Sequence, residues 1–234
     1  MRIIKSFMAI ITIGLLKNLR RKSCMNDEHR IIQYDTPIPT FSPQWKTGIR
    51  VLGVAESFNR DDKKSIVVGV VMRGDYRIDG FGMCQPTVGG MDSTKSLISL
   101  YHRLKRPDIR AWMLGGSVIS WFNIVDIVEL HEITQIPVVC VTYNPSEGIE
   151  KYLKEYFPTD WNERLQIMER AGPRLEVTLR TGHTVYLSVS GLSKTRAKQL
   201  VDQFTLDGKI PEPIQVARIE AAGLHRDIQH YEGK

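Results

Sequence analysis

Gly48-Ile49-Arg50-Val51-Leu52-Gly53-Val54-Ala55-Glu56-Ser57-Phe58 and, after a short polar stretch, Ser65-Ile66-Val67-Val68-Gly69-Val70-Val71-Met72-Arg73 decide the reading of this chain. The first is a short apolar run that ends at Glu56-Ser57-Phe58, and the second is a nearly continuous run of β-branched residues; both patterns predict strands. Gly74-Asp75 then turns the chain into Tyr76–Met83, where alternation is weaker. Three strands joined by such short connections predict an antiparallel meander.

Downstream, the punctuation changes. Gly89-Gly90 breaks the chain, and Asp92-Ser93-Thr94 offers caps before Leu97, Leu100, Tyr101 and Leu104, which recur at helical spacing and stop before Pro107. Ile109–Leu114 predicts a buried strand and Gly115-Gly116 a turn. Ile124, Val125, Ile127, Val128 and Leu130 predict the apolar side of a second helix, and Ile136–Thr142 another buried strand. A helix between consecutive strands implies parallel pairing by a right-handed crossover. The class is therefore α/β: a mixed sheet flanked by helices. Further on, Glu147–Ala171 is charged and helical in pattern with a break at Pro158, His183–Val189 is one more strand, and Ser193–Phe204 and Pro213–Leu224 predict helices.

One domain is expected over 48–234. Pro37, Pro39 and Pro43 make 25–47 an extended lead-in without a core of its own. In 1–24, basic residues flank an apolar stretch, Phe7–Leu16, shorter than the roughly 20 residues a membrane span needs. The segment is expected to be a start upstream of a true initiation at Met25, or else an interfacial anchor. It also carries the charge imbalance. The chain is +6 overall, but of its 32 Lys and Arg, six precede Met25 with no acid among them, so 26 basic residues face 26 acids from Met25 onward. The basic balance thus says little about a polyanion partner of the folded part. Cys24, Cys84 and Cys140 have no paired spacing, which excludes a zinc ribbon or disulfide framework and fits a cytoplasmic protein with no stable membrane association of 25–234.

Candidate functional residues collect at the expected strand ends. Glu56 offers a carboxylate to a divalent cation, or is a solvated loop acid; Asp92 offers a second, or is a helix N-cap. Asn123 and Asp126, three residues apart on the second predicted helix, would face one way and orient water, metal or phosphate, or serve the helix start. Ser57, Asn123, Gly115 and Gly116 form the expected substrate-binding set, the glycines allowing close backbone approach or simply a tight turn. The histidines show no metal-ligand spacing, and the serines lack a nucleophile-elbow context. Trp112, Trp121 and Phe122 stand near these residues, either as core or as rings on which a base can stack.

Across GIRVLGVAESF, SIVVGVVMR, VGGMDST, WFNIVDI and IPVVCVTY, the chain resembles a mainly archaeal family labelled endonuclease dU, distantly similar to endonuclease V. The resemblance implies a ribonuclease H-like fold and a metal-dependent endonuclease acting on deaminated or damaged DNA, with Mg²⁺ or Mn²⁺ as cofactor and nucleic acid as partner. It assigns Glu56, Asp92 and Asp126 to catalysis, with Glu56 and Asp92 as metal ligands. It also exposes departures, because Ala55, Gly89 and Gly115 stand where the family pattern has Asp. Losing that anionic charge weakens Mg²⁺ binding, since only one or two carboxylates ordinarily hold the ion. The alternative is therefore a catalytically impaired nucleic-acid-binding or regulatory module of the same fold. A third reading, a small-molecule enzyme, would require a deep apolar pocket.

Overall fold

In the computed structural model, which describes residues 45–145 and 148–232, the meander is β1 (Arg50–Ser57), β2 (Ile66–Arg73) and β3 (Ile78–Cys84). The chain then runs through α1 (Ser93–Leu104), β4 (Ile109–Leu114), a small hairpin of β5 (Val118–Ile119) and β6 (Asn123–Ile124), α2 (Ile127–Thr134) and β7 (Val138–Thr142). Helices α3 (Glu150–Tyr156) and α4 (Trp161–Arg170), strands β8 (Leu175–Thr178) and β9 (Thr184–Ser190), and helices α5 (Lys194–Gln203) and α6 (Glu212–Glu232) complete it. The segments expected over 1–24 and most of 25–47 lie outside the described residues. Trp45 is described, and its indole N–H donates to the Arg196 carbonyl at 3.0 Å, so the packed part reaches back past Gly48.

The seven strands of the main sheet lie in the order β3-β2-β1-β4-β7-β9-β8. β4 pairs parallel with β7 across α2, as the crossover argument requires, but β3 and β4, which flank α1, do not pair: β4 adds parallel to β1 on the far side of the meander, and β1 pairs antiparallel with β2. Alternation along the strands builds two cores. Leu52, Val54, Val67, Trp112 and Leu114 pack beneath α1 and α2, while Val51, Ala55, Val68, Met113 and Val139 pack against α5 and α6. With both faces covered, β1, β2 and β4 are apolar almost throughout, and each fully buried Val, Leu or Met contributes about 1.5–3 kcal/mol over exposure.

Two expectations need correction. The apolar series Ile124–Leu130 is not one helix: Asn123 and Ile124 belong to β6, and α2 begins only at Ile127. Val125 N–H donates to the Ser117 carbonyl at 2.7 Å to close the hairpin, and Asp126 caps α2, accepting from the Val128 and Glu129 amides at 3.1 and 3.0 Å. Asn123 and Asp126 therefore do not share a helix face. β8, which the sequence reading lacked, joins β9 to extend the sheet antiparallel beyond β7.

Candidate functional site at the strand ends

Because β1 and β4 are parallel neighbours, Glu56-Ser57 and Gly115-Gly116 finish side by side, and the Gly115 amide donates to the Val54 carbonyl at 3.0 Å. This is the crevice at carboxyl strand ends where open α/β sheets bind ligands. The first turn of α6 covers it from one face: a Cβ on Gly53 would fall 2.3 Å from the Pro213 Cβ. What remains is a cavity of about 110 Å³ lined by residues that include Val54, Glu56, Leu114, Val125, Tyr143 and Arg218. A ligand pocket for a drug-sized molecule is roughly 300–1,000 Å³, whereas an engineered cavity of about 150 Å³ accepts benzene. Smaller than the benzene-sized cavity, the space suits a few waters and does not meet the requirement of a small-molecule enzyme.

Glu56 points to the α1–α2 face, where its Oε2 accepts from both the backbone N–H and the hydroxyl of buried Ser120. Burial pushes its carboxyl up to about 7, outweighing the two Ser120 hydrogen bonds, which act the other way. Near neutral pH this group therefore exchanges between a neutral donor-acceptor and an anion. Ser57, its neighbour, faces α6 instead: its Oγ lies 3.0 Å from His225 Nδ1, and His225 Nε2 lies 2.8 Å from Asp62 Oδ2. The three residues follow the Ser–His–Asp order of a serine triad, but with the two ring nitrogens exchanged. Ser57 is not among the cavity-lining residues, and the network fastens α6 to the end of β1.

Asp92 occupies the N-cap position of α1 without capping it. Its carboxylate accepts from the Thr87 amide at 2.9 Å, the Thr87 hydroxyl at 2.8 Å and Asn123 Nδ2 at 2.7 Å, with Lys64 Nζ at 3.5 Å. Burial raises its pKa, but these partners prevail and hold it below the usual carboxylate range. The cap of α1 comes from Asn123, whose Oδ1 accepts from the Ser93 amide at 3.0 Å while Nδ2 also donates to the Thr87 carbonyl at 2.8 Å. Asp126 is buried, and its second oxygen meets Arg170 Nη1 at 2.6 Å. Of the acids expected to act together, Asp126 is thus spent on a cap and an ion pair.

Sequence reading missed Ser120, Thr87 and Arg164. Arg164 is buried and spreads its guanidinium over the Gly90 and Phe122 carbonyls (Nη1, 2.9 and 2.8 Å), the Gly89 carbonyl (Nη2, 2.8 Å) and Asp160 (2.8 Å). It ties the Gly89-Gly90 loop to the β5–β6 hairpin and to α4. The signal was present: Arg164 interrupts the apolar stripe Trp161, Leu165, Met168 on α4, and a cation there needs buried acceptors. Trp112, read either as core or as a stacking ring, is fully buried core.

The donor set does not fit a hard cation as it stands. Both oxygens of Asp92 accept from protein donors, and no cluster of three or more His, Cys, Asp or Glu side chains stands within reach of one ion among the described residues. Packing has also closed over Gly89 and Gly115. Gly89 has φ +70°, and a Cβ there would lie 2.9 Å from the Trp121 ring; a Cβ on Gly115 would lie 3.1 Å from Ile214 Cγ2. A carboxylate at either position would require Trp121 or the first turn of α6 to move.

This arrangement has relatives. The UPF0215 protein of Pyrobaculum calidifontis is 32% identical over 174 residues, covering 74% of this chain and 95% of the relative. A crystal structure of a protein of unknown function from Archaeoglobus fulgidus superposes with TM-score 0.67 at 32% identity, over 75% of this chain and 98% of that one. Endonuclease V from Ciona intestinalis, in complex with DNA containing an inosine, shares the fold at TM-score 0.52 and 15% identity, over 77% of this chain and 87% of that one. The Endonuclease dU family model matches residues 47–225, from the residue before the lead-in glycine of β1 to the histidine that fastens α6. A mixed sheet with the endonuclease V fold, matched along nearly all of its described length by that model, places this chain in the Endonuclease dU family.

Proposed function

We propose that the protein recognises nucleic acid carrying a deaminated or otherwise altered base, and that its strand-end crevice works by hydrogen bonding and protonation rather than by metal-assisted hydrolysis. Family membership and the inosine-containing DNA held by a fold relative support nucleic acid as the ligand. The observation that carries the mechanism is Glu56, a carboxyl raised to about 7 at the wall of the strand-end cavity. Deamination replaces an exocyclic amino donor with a carbonyl acceptor. An ionised carboxylate only accepts and repels that carbonyl; the neutral carboxyl can place its O–H on Oε1, the oxygen that Ser120 leaves free, and give it to the carbonyl. Ser120 holds one Glu56 oxygen in place, so the group needs little reorganisation on binding.

The test is fluorescence anisotropy of the full chain with DNA containing deoxyinosine or deoxyuridine, against unmodified DNA, on both sides of neutral pH. Preference for the altered base that weakens as pH rises through about 7, and loses its pH dependence in Glu56→Gln, is the expected result. Equal affinity for altered and unmodified DNA at every pH would sink the proposal. A second reading, cleavage, is favoured by the family description and by the two carboxylates, Glu56 and Asp92, near the strand ends. Incision of the same DNA with Mg²⁺ or Mn²⁺, abolished by Glu56→Gln with Asp92→Asn, would establish hydrolysis and overturn the metal-independent mechanism.

A further inference from the structure

The β5–β6 hairpin turns through three consecutive non-glycine residues in the left-handed region: Ser120 at φ 47°, Trp121 at 54° and Phe122 at 63°. Such residues persist only where the surroundings over-determine them, and they gather at functional sites. Here both ends are clamped. The Gly89 amide donates to the Ser120 carbonyl at 2.7 Å, Glu56 takes the Ser120 amide, and Arg164 Nη1 donates to the Phe122 carbonyl at 2.8 Å. The side chains gain no full burial in return. Trp121, Phe122 and Phe157 are half-buried and Tyr156 is 37% exposed, whereas Trp112, used as core, is fully covered.

These rings form one surface. Trp121 lies 5.1 Å from Phe157 and 5.8 Å from Tyr156, and Phe122 lies 5.8 and 6.0 Å from the same two rings, centroid to centroid. The guanidinium of exposed Arg60 sits 4.5 Å over Trp121 and 5.1 Å over Tyr156. Arg60 follows closely on Glu56, so the surface continues from the crevice through Ser120 on one side and through the loop after β1 on the other. Half-exposed rings beside a guanidinium suit a π-faced, anionic ligand better than an aliphatic one, because a base stacks on the rings while the cation takes a phosphate or stacks itself.

We infer that Trp121, Phe122 and Tyr156 with Arg60 form a stacking platform for unpaired nucleobases, so that the crevice takes single-stranded or locally opened nucleic acid rather than intact duplex. The inference rests on the nucleic-acid reading and narrows it: bases stacked within a duplex do not offer their faces to a protein surface, whereas splayed or flipped bases do.

Anisotropy titrations of a labelled single strand and of the matching duplex with the wild-type chain, Trp121→Leu, Tyr156→Ala and Arg60→Ala decide it. Wild type should bind the single strand more tightly. Each aromatic truncation should weaken that binding about ten-fold, with duplex binding within about two-fold of wild type. Urea midpoints establish that Trp121→Leu is folded, and Tyr156→Ala, at a 37% exposed position, carries the test independently of it. If wild type binds and the variants match it on the single strand, the platform is overturned while the nucleic-acid reading stands; equal losses on single strand and duplex overturn it too. Failure of wild type to bind either DNA overturns both. A change confined to self-association would assign the surface to a protein partner and likewise overturn the proposal.

Discussion

Replacing Glu56 with Gln should remove a pH dependence of stability whose size follows from its position. In the fold its carboxyl stands at about 7, whereas in the unfolded chain it returns to its ordinary value near 4.5. Between those values the native state binds the extra proton, so its stability is greatest below the unfolded pKa, falls as pH rises and levels off above about 7. One pKa unit corresponds to about 1.4 kcal/mol, which makes the loss between about pH 5.5 and about pH 8 roughly 2 kcal/mol. Gln keeps a carbonyl oxygen for the Ser120 amide and hydroxyl but cannot ionise, so the substitution removes the titration and spares the geometry. Urea unfolding of both proteins across that range isolates the effect, because all other titrating groups are common to them. The wild-type curve should descend toward the Glu56→Gln curve, and past it, by roughly 2 kcal/mol over the window. Curves that run parallel would show that Glu56 is not buried as described, and the protonation argument for base recognition would fall with them.

Arg164→Met should cost about 3–5 kcal/mol in urea unfolding, because it strands the Gly89, Gly90 and Phe122 carbonyls and Asp160 together; Arg164→Lys should recover little, since one ammonium cannot reach that spread of acceptors. Gly53→Ala should cost about 1–3 kcal/mol by forcing Pro213 off β1, while Gly48→Ala, where a Cβ meets nothing within 4 Å, should be close to neutral in the same assay. Burial pushes the Cys84 thiol up to about 12 and that of Cys140 higher still, so neither should react with a thiol reagent until the protein is unfolded, as a time course with and without denaturant would show.

Much of the frame could be read from local pattern. The apolar runs of β1, β2, β4 and β7 and the spacing of Leu97, Leu100 and Leu104 placed the meander, α1 and the parallel β4–β7 pair, because covering a sheet on both faces leaves a direct trace in residue type. The position of Glu56 at a strand end, and the turns at Gly89 and Gly115, followed from the same trace. The short hairpin escaped because Ile124, Val125, Ile127, Val128 and Leu130 satisfy helical spacing whether or not they are one helix; tertiary contacts, namely the Ser117–Val125 bond and the Asp126 cap, broke the series in two. β8 escaped because a strand at the end of a sheet carries little apolar pattern of its own. The sequence by itself thus determined the α/β class, the main strands in their succession along the chain and which residues emerge at their ends, while the place of β4 beside β1 came from the tertiary structure. Only the tertiary structure decided what those residues do there: that Asn123 caps a helix from another strand, that Asp92 and Asp126 are taken by protein partners, and that Glu56 sits among apolar walls with a proton near neutrality. Those outcomes depend on distances between segments far apart in the chain, and desolvation and hydrogen-bond competition act over such distances without leaving a periodic mark in the sequence.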